Sequence, residues 1–256
     1  MIIRDLVTEL EKFSSPQHAC TWDNVGLHIG DYDAEVKKIL ITVDVDDKAV
    51  ETAISQNVDL IISHHPFFFR NVKKLNSDSF LGKRSMALMS ANISVYCMHT
   101  NFDCSHMGGA AADRIGLTDA KTLEITDTDY GFGSIGNLPH EMTVRELCEL
   151  VKRKFGLEKV VLFGNADDRV TRVAVMPGSG KEEIELAFQK GAKAIVTGDV
   201  SYHFGIDGVA MGINVIDAGH YGVEHIFINV LKDYLESNLS GIEVVTMPVF
   251  NPQQYI

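Results

Sequence analysis

A strand, helix, strand unit that occurs twice at the same spacing constrains the fold of this chain more than any other feature. Lys38-Ile39-Leu40-Ile41-Thr42-Val43 and Asp59-Leu60-Ile61-Ile62-Ser63 flank a stretch in which Asp46-Asp47 reads as an N-cap ahead of Val50, Ala53 and Ile54. Arg172-Val173-Ala174-Val175 and Ala194-Ile195-Val196-Thr197 flank a second helical stretch. The step from Ile39 to Ile61 is 22 residues, and so is the step from Val173 to Ile195. Strands this continuously apolar, alternating with helices, predict largely parallel sheets covered on both faces. A further strand follows each unit, Ile93-Ser94-Val95-Tyr96-Cys97 in the first and Ile213-Asn214-Val215 in the second. The expected class is α/β, two similar lobes spanning 1–125 and 126–256, with terminal elements free to exchange between them. Equal spacing does not decide whether the repeat is a true duplication, because βαβ units have a preferred length.

The rest of the chain fits around these units. Ile2, Ile3, Leu6, Val7, Leu10 and Phe13 form one helical stripe that Ser14-Ser15-Pro16 stops. Helices are expected near 82–91, after the His99–Asp103 segment through about Ile115, and over 143–155, and a strand over 159–163. Residues 118–142, rich in Gly, Asp and Thr, read as the connection between lobes. With 256 residues, 45% of them apolar, each lobe can bury a core. No window approaches the roughly 18 apolar residues a membrane helix needs, and Arg4-Asp5 turns polar too soon for a secretory signal, so a cytoplasmic protein without membrane attachment is expected. Cys20, Cys97, Cys104 and Cys148 show no paired spacing and read as reduced thiols. A net charge of -12 repels a phosphate backbone and argues against nucleic-acid partners. Lys73-Lys74 and Lys152-Arg153-Lys154 read as solvated faces.

Ligands of open parallel sheets sit beyond the carboxyl ends of the strands. His64, His65, His99 and His220 fall there, and one cleft between the lobes is the place expected to collect them. His64 and His65 are neighbours in an extended segment, where side chains alternate, so sharing one ion is hard; reaching two adjacent ions, past Pro66, is the functional reading. One core histidine beside a solvent-facing one is the plainer alternative. His99 precedes Asp103 by four residues, and His220 precedes Glu224 by four, which brings imidazole and carboxylate together on a helical turn. Several imidazoles with two carboxylates suit zinc, iron, manganese, cobalt or nickel, and a carboxylate can bridge two such ions. Asp199 and His203 are expected to line the cleft without being principal ligands, and His106 and His225 to be supporting or exposed. Phe67-Phe68-Phe69 reads as core or subunit contact, and Gly178-Ser179-Gly180-Lys181 as a turn before a helix, since it lacks Walker spacing.

These residues resemble the Nif-three-like dinuclear metal proteins, often named GTP cyclohydrolase I type 2 homologs. The resemblance rests on Trp22-Asp23-Asn24-Val25-Gly26-Leu27, Asp59-Leu60-Ile61-Ile62-Ser63-His64-His65-Pro66, His99-Thr100-Asn101-Phe102-Asp103, Thr197-Gly198-Asp199 and Ala218-Gly219-His220-Tyr221-Gly222-Val223-Glu224. It implies a two-lobed fold with two metal ions per chain, and homohexamers whose sites face an internal cavity. By position it implies that His64 and His65 serve different ions, that Asp103 and His220 complete the two shells, and that Glu224 bridges, with His99 nearby. It lacks the long middle insertion of some members. The expected activity is metal-dependent hydrolysis of a small polar substrate, GTP being the version in the family name, with Glu224 bridging the ions or moving a proton. The alternative is a metal-trafficking or interaction protein whose metal pair is structural.

Overall fold

The computed structural model describes residues 1–127, 130–251 and 253. The chain forms two compact units, each built on its own sheet. The first comprises Met1–Phe102 and Phe227–Phe250, and the second Asp103–Ile226 together with Asn251 and Gln253. The division expected between 125 and 126 falls inside a strand of the second unit.

The first unit opens with α1 (Ile3–Phe13), whose stripe buries Ile3, Leu6, Val7 and Leu10. It continues through β1 (Gly26–Ile29), β2 (Lys38–Thr42), α2 (Asp47–Ser55), β3 (Leu60–Ser63), α3 (Phe80–Ser90), β4 (Ser94–Cys97) and the single turn α4 (Thr100–Phe102). The Asp46 carboxylate accepts from the Ala49 amide, so the N-cap expected for α2 is present. The chain later returns to this unit with α10 (Ile226–Asn238) and β11 (Glu243–Thr246). The sheet order is β1-β4-β3-β2-β11. All neighbours are parallel except β1, which runs antiparallel to β4. Leu40, Ile61 and Val95 from successive strands share a core with Ala49, Val50 and Ala53 of α2 and Leu88 of α3. Every residue of β3 and β4 is buried, which is why these strands show no polar alternation in sequence.

In the second unit a π-helical turn, Asp103–Met107, leads into α5 (Gly108–Ile115). There follow β5 (Thr118–Asp127), β6 (Tyr130–Thr143), α6 (Val144–Phe155), β7 (Val161–Phe163), β8 (Arg169–Val175), α7 (Ile184–Gln189), β9 (Ala194–Thr197), α8 (Tyr202–Met211), β10 (Asn214–Asp217) and α9 (His220–Glu224). The sheet order is β5-β6-β8-β9-β10-β7. Only β8, β9 and β10 are parallel, so this sheet is less parallel than expected. Leu123, Ile135, Ala174, Ile195 and Val215 line its core.

The repeat extends to strand register. Ile39 lies opposite Leu60 as Val173 lies opposite Ala194, and Leu60 lies opposite Ser94 as Ala194 lies opposite Asn214. An antiparallel strand flanks the third parallel strand in both units, β1 beside β4 and β7 beside β10.

The segment read as a connection is instead the β5–β6 hairpin, which forms one edge of the second sheet. Its composition misled for a physical reason. β5 is an edge strand with mostly exposed side chains, so it lacks an apolar signature. The glycines answer to close backbone approach, since a Cβ at Gly131 would overlap the Glu124 carbonyl and one at Gly136 would lie 2.8 Å from the Thr118 carbonyl. Among the described residues no helix is long and apolar enough to cross a membrane.

Candidate metal centre

In the first unit the ladder hydrogen bonds run past the end of β3. The His64 amide donates to the Thr42 carbonyl and the His65 amide to the Val43 carbonyl, which fixes both backbones. Their rings lie with centroids 5.1 Å apart, and His99, two residues past the end of β4, adds a third ring 5.3 Å from His64. One ligand atom from each of His64, His65 and His99 lies within 4.8 Å of the others, a grouping that could hold a metal ion.

Each ring is held by its Nδ1 atom. His64 donates to the Met98 carbonyl at 2.9 Å, His65 to Asp44 Oδ1 at 2.8 Å and His99 to Asp23 Oδ1 at 2.9 Å. A carbonyl or a carboxylate can only accept, so in all three the proton sits on Nδ1 and the ring lone pair on Nε2. Asp23 is fully buried as a side chain. Burial alone would push its carboxyl up, but hydrogen bonds from His99 and from the Thr100 hydroxyl and amide outweigh it and hold it at about 2.

In the second unit His220 opens α9 behind Gly219, whose φ is 76°. Its Nδ1 donates to Asp199 Oδ2 at 2.8 Å, and its Nε2 faces Glu224 Oε2 at 3.0 Å, one helical turn on. The Asp103 and Glu224 carboxylates also come within 4.8 Å of each other. Asp103 stands at the head of the π-helical turn, and such turns recur at functional sites. Asp199, two residues past β9, adopts a left-handed conformation, φ 56°. The spacing of four thus places Glu224 against the His220 ring, and Asp199 holds the ring's other nitrogen.

Gly178 packs under Glu224. It lies just past β8, has φ 77°, and a Cβ there would overlap Glu224 Oε1. The Gly178–Lys181 stretch precedes α7, and Gly178 is the part of it that packs against the Glu224 carboxylate.

Other expected residues fall elsewhere. His203 is exposed on the first turn of α8 with its ring edge-on to Tyr202. His225 is buried and stacks on Tyr221; burial, helped by the Arg114 charge, pushes its pKa down, so it is a neutral packed histidine. His106 is half-buried in the π-helical turn. The three consecutive phenylalanines divide, with Phe67 buried, Phe68 half-buried and Phe69 exposed. Asp23 and Asp44, which orient His99 and His65, were not singled out from sequence. Asp44 lies two residues past β2, so the rule that located the histidines could have found it.

Fold and donors together define a two-sheet α/β protein that presents imidazole and carboxylate groups, able to hold a metal, at the carboxyl ends of its parallel strands. The chain belongs to the DUF34/NIF3 (NGG1p interacting factor 3) family, whose model matches residues 1–252. It is 34% identical to a GTP cyclohydrolase 1 type 2 homolog of Clostridium acetobutylicum over 99% of this chain and 96% of the relative. It is 36% identical to one of Lactococcus lactis subsp. lactis over 95% of each. Among solved structures it is similar to a hypothetical protein of Staphylococcus aureus at TM-score 0.92 and 27% identity, covering 100% of this chain and 99% of the other. Reduced HcgD from Methanocaldococcus jannaschii is similar at TM-score 0.83 and 27% identity, with 96% and 97% covered.

Proposed function

We propose that the chain binds two divalent transition-metal ions through His64, His65, Asp103, His220 and Glu224, and that it is a metal-dependent hydrolase of a small polar substrate. One observation carries the reading: His64, His65, His99 and His220 all give their Nδ1 proton to an acceptor oxygen. Metal-ligating histidines are oriented in this way, the outer hydrogen bond fixing the tautomer and raising the basicity of Nε2. The donor set favours zinc, iron, manganese, cobalt or nickel over calcium and magnesium, which take mostly oxygen.

Ions held by these groups would supply Lewis acidity and a water nucleophile near neutral pH. The protein's own part is to fix the rings, to keep Glu224 almost wholly out of water at 4% side-chain exposure, and to leave His65 and His220 reachable at 25% and 33%. A buried carboxylate of this kind offsets the repulsion between two dications and can accept a proton from the attacking group. His99 and Asp199 act as supporting groups in this scheme, and His203 has no part. The name borne by the relatives makes GTP the first substrate to assay.

The test is elemental analysis of protein purified without chelator, followed by hydrolysis assays over a metal titration. Two metal equivalents per chain are expected, with activity tracking occupancy. His65→Ala should lose about one equivalent, with affinity at the damaged site weakened well over tenfold. Glu224→Gln keeps the shape but removes the charge, so the second ion should bind more weakly and hydrolysis should fall by orders of magnitude. Unchanged stoichiometry in His65→Ala would remove His65 from the site. Full occupancy without hydrolysis of any substrate would favour a structural or trafficking role.

A further inference from the structure

Two large aromatic side chains are exposed beside the first-unit histidines. Trp22 is 63% exposed and Phe69 59%, although each flanks His99. The three rings stand nearly perpendicular to one another. Centroids are 6.2 Å apart for Trp22 and Phe69 at 67°, 6.1 Å for Trp22 and His99 at 72°, and 6.4 Å for Phe69 and His99 at 80°.

The backbones that carry the two exposed rings are tied down on both sides. The Cys20 amide donates to the Thr100 hydroxyl at 2.9 Å and the Asp23 amide to the Cys20 carbonyl at 2.9 Å. Asn24 Nδ2 donates to the Phe68 carbonyl at 2.8 Å, while the Phe68 amide donates to His28 Nδ1 at 3.2 Å. The segment bearing Trp22 is thus stapled to the segment bearing Phe69. Rigid positioning of rings whose faces the fold leaves in water lowers the entropy cost of binding and does nothing for the core.

We infer that Trp22 and Phe69 form a platform for the planar, unsaturated ring of a small anionic ligand, whose polar end reaches the His99 side. This rests on the proposed hydrolytic site, since it assigns the ring-binding part of that site's substrate. Two rings offer far less area than the roughly 800 Å² per partner of a stable protein interface, which favours a small molecule. Residues 66–77 carry Arg70, Lys73 and Lys74 and no acid, in a chain of net charge -12, which favours an anion. Stacking on an aromatic face is tolerant of ring identity, so the platform selects for planarity more than for one base or one heterocycle.

Trp22 is the single tryptophan of the chain, so its emission reports the platform alone. The experiment titrates protein of measured metal content with guanosine monophosphate and with nicotinate, using ribose phosphate as the ringless control. Saturable change of Trp22 emission with both ring compounds, and none with ribose phosphate, is expected. Phe69→Ala should weaken the apparent affinity about tenfold and Phe69→Tyr should restore it; Phe69 is mostly exposed, so the fold should tolerate both. An equal response to ribose phosphate, no response to the ring compounds, or unchanged affinity in Phe69→Ala would overturn the inference. So would a response to tetramethylammonium in place of the rings, or an emission change with protein concentration alone, which would mean a contact between copies. Ring binding without metal would break the metal proposal and leave the platform, while metal binding without ring binding would break the platform alone.

Discussion

Gly178 shows how much of a site can depend on the absence of a side chain. Its φ is positive and the place of its Cβ is filled by Glu224 Oε1, so Gly178→Ala must both strain the backbone and displace the carboxylate. The expected result is a loss of stability of about 1 kcal/mol or more, with metal affinity falling more than tenfold while His65 is untouched. Calorimetric metal titration beside a thermal melt separates the two effects; a variant that binds metal normally would show that the carboxylate can sit elsewhere. The clustered histidines were legible in sequence because histidine at a strand end is a local signal. Asp23, Asp44 and Gly178 were less so, because each acts on a residue far along the chain: Asp23 is 76 residues from His99, and Asp44 is 21 from His65. Such pairings exist only once the strands are laid side by side.

Between β1 and the loop after β3, His28 works as a clasp. Its Nε2 proton goes to the Asn24 carbonyl at 2.9 Å, and its Nδ1 accepts from the Phe68 amide, so the neutral ring satisfies both neighbours. Burial pushes its pKa below the ordinary 6.5, outweighing the opposing pull of the Asn24 carbonyl and the Asp23 charge. Below that value the unfolded chain takes up the proton more readily than the folded one. Stability from this group is therefore complete above pH 6.5 or so and is lost as the pH falls through that range. Melting temperatures measured from about pH 7.5 down to about pH 5.5 should drop, and His28→Gln should flatten part of the drop. His225, also held low by burial, should keep some of the slope in that variant. An identical slope in the two proteins would exclude the clasp. At this scale the sequence was a good guide wherever a strand is buried on both faces or a helix carries a cap. It failed over 118–142, where an edge strand and glycines chosen for close approach imitate a loop.

For the molecule as a whole, the repeated parallel unit was readable and the outer surface was not. Phe67-Phe68-Phe69 reads in sequence as core or subunit contact; Phe67 is buried, Phe68 half-buried and only Phe69 exposed. On α8, Gly205 and Gly208 lie against its own unit while Tyr202, Phe204, Ile206 and Val209 are exposed. Large apolar side chains turned outward along one helix are the kind of patch a partner would cover. A homo-oligomer is the expected state, by family resemblance a hexamer, and light scattering should give its mass. Val209→Lys, placing a charge on that face, should shift the mass downward. A monomer at micromolar concentration in the unmodified protein would contradict the expectation.

The route of the chain carries one more consequence. It leaves the first unit after Phe102 and returns to it only at Phe227, with β11 finally lying parallel to β2. During synthesis, then, the nascent first unit has to wait. More than a hundred residues emerge from the ribosome, enough to complete the second sheet, before the strand that covers the open edge of β2 has been made. Until then that edge presents the unpaired amides and carbonyls of Ile39 and Ile41 to whatever is nearby. The unit begun first is the one finished last, and the order of its strands leaves an open edge for the whole of that interval.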